Sequence, residues 1–461
     1  MQSTLASIER QPSGTPPIIL AGGHILDLDS SALQASDILI ENGAVSRIAP
    51  YGTIASPAAR RFDASGCLIL PGITNAHTHS PENLAAGFCD GLQLDDWLKA
   101  VWAQLDHMTP DAIRIAVFAG VAEMLKRGVT AVVDHFRQTP ASIEAIDSAR
   151  AVYETSGMRA MIAVMLRDRV AENGHMVGVA SKIRPITISE AEGFWTEAIR
   201  RNDPRSRVSM ALGPSGPTRC SDEMLELAVE IAQRHSLCLH THVAETRSCA
   251  ENALRLFGCR TVRHLADLGF LGPRTSLAHC VWINDEEINL IAQSRTVVVH
   301  NPISNMVLGS GVAPVPAMLA AGAKVAVGTD GAASNGGQDI FETIKCAALL
   351  ARNSTPNPGD WLTASNAMKL AIHGGREIFS LGPPAIVPDA VADIAVFPFA
   401  ENTLDNFFDP VRQLVYGAQS RARHVFVAGE PVVVDGEITR FDDAALQAEL
   451  RQIRKKFMRS N

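Results

Sequence analysis

Five side chains that can bind metals or transfer protons lie at the ends of short apolar runs in the middle of this sequence. They are His77, His79, His242, His279 and Asp330. His77 and His79 are two residues apart, so on an extended strand both side chains point to the same face. Imidazole nitrogens combined with one carboxylate suit Zn²⁺ or Fe²⁺ and leave a coordination position for water. The residue types therefore indicate a metal centre that activates water.

Each of these residues also has a structural interpretation. A His-x-His pair can simply make hydrogen bonds, Asp330 could cap the turn that follows it, and His240 competes with His242 on one strand face. Glu245, three residues after His242, could shuttle protons over the mouth of the site or could be a surface glutamate at a helix start. The metal interpretation is favoured because all of these groups fall at predicted strand ends.

The elements that must position these groups alternate between strands and helices. Eight β-branched runs predict eight strands: Ile73–His79, Thr130–Phe136, Arg159–Leu166, Arg207–Leu212, Leu237–Val243, Thr275–Cys280, Thr296–His300 and Lys324–Asp330. The stretches Asp111–Arg127 and Asp222–Arg234 are amphipathic and predict helices between them, with Ser221 as an N-cap.

Eight strand–helix units over about 300 residues predict a (β/α)8 TIM-like barrel, in which the carboxyl ends of all strands face one mouth. The catalytic side chains would meet there although they are far apart in the sequence. An open doubly wound sheet is the alternative, but the segment NAHTHSPEN is not the glycine-rich phosphate turn that such a sheet would need.

The two ends of the chain differ from the middle, because short apolar runs are interrupted there by Gly, Asp and Asn. Glu41-Asn42-Gly43 and Asp435-Gly436 are hairpin signals. The predicted fold class is therefore α/β, with a small β-sandwich domain built from both chain ends beside the barrel. Residues 1–69 and 381–461 would form the small domain, including a terminal helix, and residues 70–380 would form the barrel.

Composition narrows the functional classes. The formal net charge is −8 and the only basic run is Arg451–Arg459, which argues against nucleic acid as a partner and fits the solvated end of a last helix. No apolar run reaches the roughly 18 residues that a membrane span requires. The first 17 residues lack the pattern of a secretory signal. Eight cysteines without a CxxC pair predict reduced thiols in the cytoplasm.

Five segments together resemble the amidohydrolase superfamily. They are PGITNAHTHSPENLAAGF, HTHVAET, LAHCVW, VVVHNPISNMVLGSG and VGTDGAASN. They are similar to the branch that contains S-adenosylhomocysteine and guanine deaminases and the triazine chlorohydrolases. The resemblance spans nearly the whole chain, including the split β domain.

This resemblance implies one divalent metal ion per subunit, zinc or alternatively iron. The implied ligands are His77, His79, His242 and Asp330. Glu245 would shuttle the proton, Asp330 would accept a proton from the attacking water, and His279 would polarise the substrate. No bridging lysine follows the fourth strand in LGPSGP, which implies a mononuclear site.

The implied reaction is hydrolytic deamination of a small N-heterocycle, a purine, pterin, pyrimidine or triazine, by metal-bound hydroxide. The alternative within the same chemistry is a leaving group other than ammonia, such as chloride, an alkylamine or an amide nitrogen. An alternative of another class is a metal-binding barrel without turnover. The family also implies a homodimer or a larger homo-oligomer.

The segment GPSGPTRCS departs from the GPHxPYTCS of many deaminases in this branch, because Ser215 replaces the histidine. That change argues against S-adenosylhomocysteine as the substrate. Five residues are candidates for lining the substrate pocket: Glu82, Trp97, His135, Ser215 and His300. His135, with Asp134, could equally be a barrel histidine that only hydrogen-bonds, and His300 could shape the mouth. Arg219 could meet an anionic substrate group or lie on the surface.

Overall fold

The structure is a computed structural model that describes residues 16–106, 108–169, 185–399, 409–417 and 420–459. Its strands, numbered β1 to β17 in chain order, form two sheets. Nine of them form a mixed sheet from both ends of the chain: β1 (Ile18–Leu26), β2 (Leu33–Glu41), β3 (Ala44–Ala49), β4 (Arg60–Asp63), β5 (Cys67–Pro71), β14 (Ile394–Pro398), β15 (His424–Val427), β16 (Glu430–Val434) and β17 (Glu437–Ile438).

The two halves of this sheet are joined where β5 pairs antiparallel with β14, with Leu70 opposite Ala395. Apolar side chains from both halves share one core, in which Ile38 and Phe62 pack with Phe426. The rings of Phe62 and Phe426 meet edge to face at 5.2 Å. The small β domain predicted from the two chain ends is confirmed.

Two tight turns fix the hairpins of this domain. Asn42 and Gly43 have φ angles of 50° and 79°, and Asp435 and Gly436 have φ angles of 50° and 83°. Two successive positive φ angles match the twist of the flanking strands, and Asn-Gly and Asp-Gly adopt them at low cost. This is the conformation that both sequence signals predict.

The second sheet is the barrel, whose eight strands are parallel and follow one another in sequence order. They are β6 (Ile73–Thr78), β7 (Val129–Phe136), β8 (Arg159–Leu166), β9 (Val208–Pro214), β10 (Leu239–Val243), β11 (Thr275–His279), β12 (Val297–His300) and β13 (Lys324–Val327). The strands β6 and β13 are the two ends of the sheet and contact each other. The nearly closed barrel confirms the predicted architecture.

Helices connect the strands and cover the barrel. Within the described residues they are Leu94–Leu105, Pro110–Lys126, Ile143–Ser156, Ile188–Ile199, Asp222–His235, Arg247–Phe257, Thr261–Asp267, Asp285–Ser294, Pro302–Val307, Val315–Ala320, Ala332–Asn335, Ile340–Ser354, Ala364–Lys369, Gly375–Phe379, Pro410–Tyr416 and Asp443–Arg459. The Ser221 side chain accepts a hydrogen bond from the Met224 amide, as its position as an N-cap predicts.

All eight predicted barrel strands are present, and the largest difference is at the end of the last one. The prediction extends this strand to Asp330, but β13 ends at Val327. Asp330 has a φ angle of 64°, which no strand residue adopts. Its amide donates to the carbonyl of His77 at 2.9 Å, so the chain turns from β13 toward β6.

The C-terminal helix Asp443–Arg459 packs against the barrel. Lys126 and Asp443 form an ion pair at 2.5 Å. Arg454 donates to the carbonyl of Asn83 at 2.7 Å, so this part of the basic tail is not simply solvated as expected from the sequence. No helix in the described part of the chain is long and apolar enough to span a membrane. All eight cysteines are free thiols.

Candidate active site

The metal-binding side chains predicted from the sequence converge at the carboxyl ends of the first, fifth and eighth barrel strands. His77 Nε2 lies 3.2 Å from Asp330 Oδ1, and His79 Nε2 lies 3.5 Å from the same oxygen. His79 Nε2 lies 3.1 Å from His242 Nε2. All four side chains are buried. Because these distances are short, their nitrogen and oxygen atoms lie around one small space.

The hydrogen bonds of His79 and His242 determine which ring nitrogen carries the proton. His79 Nδ1 donates to the carbonyl of His135, and His242 Nδ1 donates to the carbonyl of Ser215, each at 2.6 Å. Burial lowers the pKa of His79 to about 4, so its ring is neutral near pH 7. Both Nε2 atoms then carry lone pairs that face each other, an arrangement that a cation between them would stabilise. These residues fit a divalent metal ion.

His77 is oriented by the histidine that competes with His242 in the sequence. His77 Nδ1 lies 2.7 Å from His240 Nε2, and His240 Nδ1 lies 2.7 Å from Ser276 Oγ. If each ring donates to the next group, His77 Nε2 keeps its lone pair, and this buried atom has no hydrogen-bond partner. The geometry therefore gives His240 a supporting position behind His77 and leaves His242 at the metal space.

Asp330 is held in an ionised form beside these rings. Burial raises its pKa, but positive charge on the adjacent rings of His77, His279 and His79, when they are protonated, outweighs burial and keeps the pKa well below the usual carboxyl value. The amide of Gly331 donates to Asp330 Oδ1 at 2.8 Å and fixes the carboxylate. A negative charge at this position complements a bound cation.

Gln338 connects the first strand to the last at this site, a role that its position in the sequence does not reveal. Gln338 Oε1 accepts hydrogen bonds from Asn75, Thr78 and Thr329 at 3.1, 3.1 and 2.7 Å. Gln338 Nε2 donates to the carbonyl of Asp330 at 3.1 Å. This buried amide therefore sets the distance between the histidines of β6 and the carboxylate after β13.

His279 and Glu245 lie beside the metal-binding groups. His279 Nε2 is 3.8 Å from Glu245 Oε2 and 3.9 Å from Asp330 Oδ2, and its Nδ1 donates to Asn305 Oδ1 at 2.9 Å. Burial raises the pKa of Glu245. His279 and Ala244 have φ angles of 74° and 44°, and such backbone costs about 1–3 kcal/mol at each position. The strained backbone turns both side chains toward the same space.

A small cavity opens onto these groups. Glu82 and Trp97 line it, as the sequence analysis predicts, and so does Arg219. Glu82 Oε2 and Trp97 Nε1 are buried and have no hydrogen-bond partner, so a ligand could satisfy both. Burial, and then the nearby Asp330, raise the pKa of Glu82 well above its usual value, so this carboxyl can act as a donor. A Cβ at Gly331 would collide with Glu82 Oε2.

The other three pocket candidates lie in the barrel wall, outside the described lining of this cavity. His135 Nε2 donates to the carbonyl of Gly213 at 3.1 Å. Ser215 contributes its carbonyl to His242. His300 is buried near His279, and burial lowers its pKa to about 3. Asp134 accepts hydrogen bonds from Ser80 and Tyr153 and so anchors the turn after β6.

The family to which the chain belongs is shown by its match to a known protein family. The model of the amidohydrolase family matches residues 68–432, a span that includes all eight barrel strands and every metal-binding candidate. The chain belongs to the amidohydrolase family. The resemblance stated from the sequence motifs is therefore confirmed.

Relatives of this amidohydrolase carry out more than one reaction. It is 34% identical over 436 residues to the 5-methylthioadenosine/S-adenosylhomocysteine deaminase of Halobacterium salinarum, covering 94% of this chain and 96% of the relative. It is 33% identical over 423 residues to the 8-oxoguanine deaminase of Pseudomonas aeruginosa, covering 90% and 94%. The atrazine chlorohydrolase of Arthrobacter aurescens, solved in complex with zinc, superposes with a TM-score of 0.88 at 25% identity, covering 95% and 100%.

Proposed function

We propose that this amidohydrolase is a mononuclear zinc-dependent deaminase that releases ammonia from a nitrogen heterocycle. His77, His79, His242 and Asp330 would hold the ion. The observation that supports the proposal most strongly is the 3.1 Å contact between the Nε2 atoms of His79 and His242, with Asp330 Oδ1 3.5 Å from His79 Nε2. The position of Glu245 favours a catalytic site over a metal-binding barrel without turnover, because a buried carboxyl beside His279 has no role in a purely structural metal site.

When bound, the zinc ion supplies a Lewis acid that brings the pKa of water toward ~7. Asp330 is placed to accept a proton from the attacking water as the water oxygen forms a bond to an electron-poor ring carbon. Glu245, whose raised pKa favours its protonated form, gives a proton to the adjacent ring nitrogen. His279 Nε2 faces both carboxylates and stabilises the charge that develops at the reacting carbon. Asp330 then passes its proton to the exocyclic nitrogen, and the exocyclic C–N bond breaks. Ammonia leaves as the hydroxyl proton of the intermediate returns to Glu245 and the ring carbonyl forms.

The residues that line the cavity favour a flat, aromatic substrate. Its walls combine two tryptophans and three leucines with eight polar or charged residues. An aromatic ring can stack or pack on such a wall, while Glu82 and Trp97 offer hydrogen bonds at its edge. This composition favours a flat heterocycle over an extended peptide.

The proposal is tested with zinc-reconstituted protein and a panel of amino-substituted purines, pterins, pyrimidines and triazines. We expect one zinc ion per subunit and ammonia release from at least one ring class. An equimolar zinc content with no ammonia from any ring would favour the metal-binding barrel without turnover. Reconstitution with Fe²⁺ in parallel shows which of the two metals supports the higher kcat.

A second candidate function is hydrolysis with a different leaving group. The structural similarity to an atrazine chlorohydrolase supports it, since the same attack on a ring carbon expels chloride. Chlorinated and alkylamino triazines in the same assay distinguish the two reactions. Chloride or alkylamine release without ammonia release would replace the deaminase proposal.

We also propose that residues 1–69 and 381–461 form one domain around a barrel of residues 70–380, and that the protein is a cytoplasmic homodimer or larger oligomer. The family resemblance supports the oligomer, and the eight free thiols support a reducing compartment. Size-exclusion chromatography with light scattering tests the assembly, and a monomeric mass would contradict it.

A further inference from the structure

A polar cavity lies outside the active site, between the C-terminal helix and the helix Pro110–Lys126. Its volume is about 350 Å³, which admits a small ion together with water. Asp443, Gln447, Leu450 and Arg454 line it from one face of the C-terminal helix, at spacings of four, three and four residues. Among the described residues, this cavity and the active-site cavity share no lining residue.

Basic side chains surround this cavity, and only some of them have an acidic partner. The basic residues are Lys126, Arg127, Arg421 and Arg454. Lys126 forms an ion pair with Asp443 at 2.5 Å, and Arg127 forms one with Asp339 at 2.6 Å. Within the described residues, Arg421 and Arg454 form no ion pair. Two positive charges are therefore left without a counter-charge.

The acidic residues that line the cavity do not compensate these two charges. Within the described part of the chain they are Asp443, which Lys126 already neutralises, and Glu123. Glu123 Oε2 accepts a hydrogen bond from the amide of Gln338 at 2.8 Å. Burial raises the pKa of Glu123, so its carboxyl carries less negative charge at a given pH than an exposed glutamate does. The charge that faces the cavity is therefore positive.

Arg454 also has unused hydrogen-bond donors in this wall. Its Nη2 donates to the carbonyl of Asn83 at 2.7 Å, and its Nε is buried without a hydrogen-bond partner in the described part of the chain. A guanidinium has five N–H donors, so most of them remain available. A buried donor without a partner is costly, and an oxyanion would satisfy both this donor and the positive charge.

We propose that this cavity binds a doubly charged oxyanion, sulfate or a phosphate group, with Arg454 and Arg421 as its main contacts. Two negative charges match the two guanidinium groups that have no acidic partner, and a guanidinium fork holds two oxygens of one tetrahedral anion. A metal cation would be repelled by the same groups. The site would bind this anion whether or not the barrel is a deaminase.

The test is isothermal titration calorimetry of the full-length zinc-loaded protein in chloride buffer at constant ionic strength and about pH 8, where phosphate groups are doubly charged. The ligands are sulfate, inorganic phosphate and phenyl phosphate, with acetate as the singly charged comparison. We expect a Kd of about 1 mM or lower for at least one doubly charged anion, and at least about tenfold weaker binding of acetate. Inorganic phosphate and phenyl phosphate distinguish the free ion from a phosphate carried by an organic molecule.

The variants Arg454→Gln and Arg421→Gln should each weaken binding of the doubly charged anion about tenfold. Gln447→Glu adds a negative charge to the wall of the cavity and should weaken it by a similar factor. Arg451→Gln and Gln452→Glu make the same changes at exposed positions of the C-terminal helix, so they are the matched controls and should leave binding unchanged. Gln447→Glu and Arg421→Gln keep the test available if Arg454→Gln does not fold, which circular dichroism would show.

Four results would overturn the inference. The first is a Kd above about 1 mM for all three doubly charged anions. The second is acetate that binds as tightly as these anions, and the third is binding that is unchanged in both arginine-to-glutamine variants of the cavity. The fourth is binding that is lost when the zinc is removed, because the anion would then lie on the metal in the active site. Binding that persists in the metal-free protein and weakens in the cavity variants supports the site.

Discussion

Replacement of Gln338 by alanine tests how the barrel holds its metal-binding groups at the right separation. The substitution removes four buried hydrogen bonds, to Asn75, Thr78, Thr329 and the carbonyl of Asp330. At about 1 kcal/mol for each bond, the upper limit of the loss is about 4 kcal/mol.

The expected loss of stability is smaller than this limit, because some of the groups that bond to Gln338 have another hydrogen-bond acceptor nearby. The hydroxyls of Thr78 and Thr329 each lie 3.1 Å from the carbonyl of Asp330, and Asn75 Nδ2 lies 2.7 Å from Thr329 Oγ1. These groups can therefore remain hydrogen-bonded. We expect a net loss of about 2 kcal/mol in the free energy of unfolding of the metal-free protein.

The effect on the metal should be larger than on stability, since Gln338 acts on the position of Asp330. Loss of such supporting contacts typically weakens metal binding roughly 10- to 100-fold. Chelator competition measures the zinc Kd, and urea unfolding measures stability. Gln233→Ala, on an exposed helix face, is the control and should change neither. A Gln338→Ala protein with wild-type zinc affinity would refute the reasoning.

Three further predictions concern the reaction and its pH dependence. Glu245→Gln should keep its zinc and lose at least roughly a hundredfold in kcat, while the exposed Glu226→Gln should keep full activity; a normal rate in the first variant would remove Glu245 from the mechanism. Asp330→Ala should lose both zinc, measured by elemental analysis, and activity, and a fully metallated variant would contradict its proposed role as a ligand. Burial lowers the pKa of His79 from 6.5 to about 4, so between these values the unfolded chain binds a proton there that the folded chain does not. The free energy of unfolding of the metal-free protein, measured with urea, should therefore fall as the pH is lowered from 6.5 toward 4. A constant free energy of unfolding over this range would contradict the buried neutral ring.

The barrel and the meeting of its polar strand ends could be predicted from the sequence. Eight β-branched runs separated by amphipathic stretches are a strong pattern, and parallel strands place all their carboxyl ends at one mouth. His77, His242 and Asp330 are therefore expected to lie together although they come from distant segments. The small domain was also predictable, because Asn-Gly and Asp-Gly adopt the positive φ angles of two-residue hairpin turns at low cost.

The arrangement of the histidines within the site could not be predicted, because spacing along the chain does not determine where each side chain points. His240 and His242 share one strand face, so only the packed structure shows that His240 lies behind His77 and His242 faces His79. His135 also ends a strand, but its ring points to the Gly213 carbonyl inside the wall.

Residues that act from loops were the least predictable. Gln338 reaches the site after a turn that follows β13, and no periodic pattern marks it. Such contacts depend on loop conformation, which the hydrophobic pattern does not specify.

X-ray absorption spectroscopy at the zinc edge of the reconstituted protein tests the central claim most directly. The structure predicts a first shell of nitrogen and oxygen atoms only, at about 2.0–2.2 Å, with the multiple-scattering signature of three imidazoles. His79→Ala and His242→Ala should each remove one imidazole or abolish binding. Sulfur ligands, or a spectrum with a single imidazole, would contradict a metal centre formed by His77, His79, His242 and Asp330.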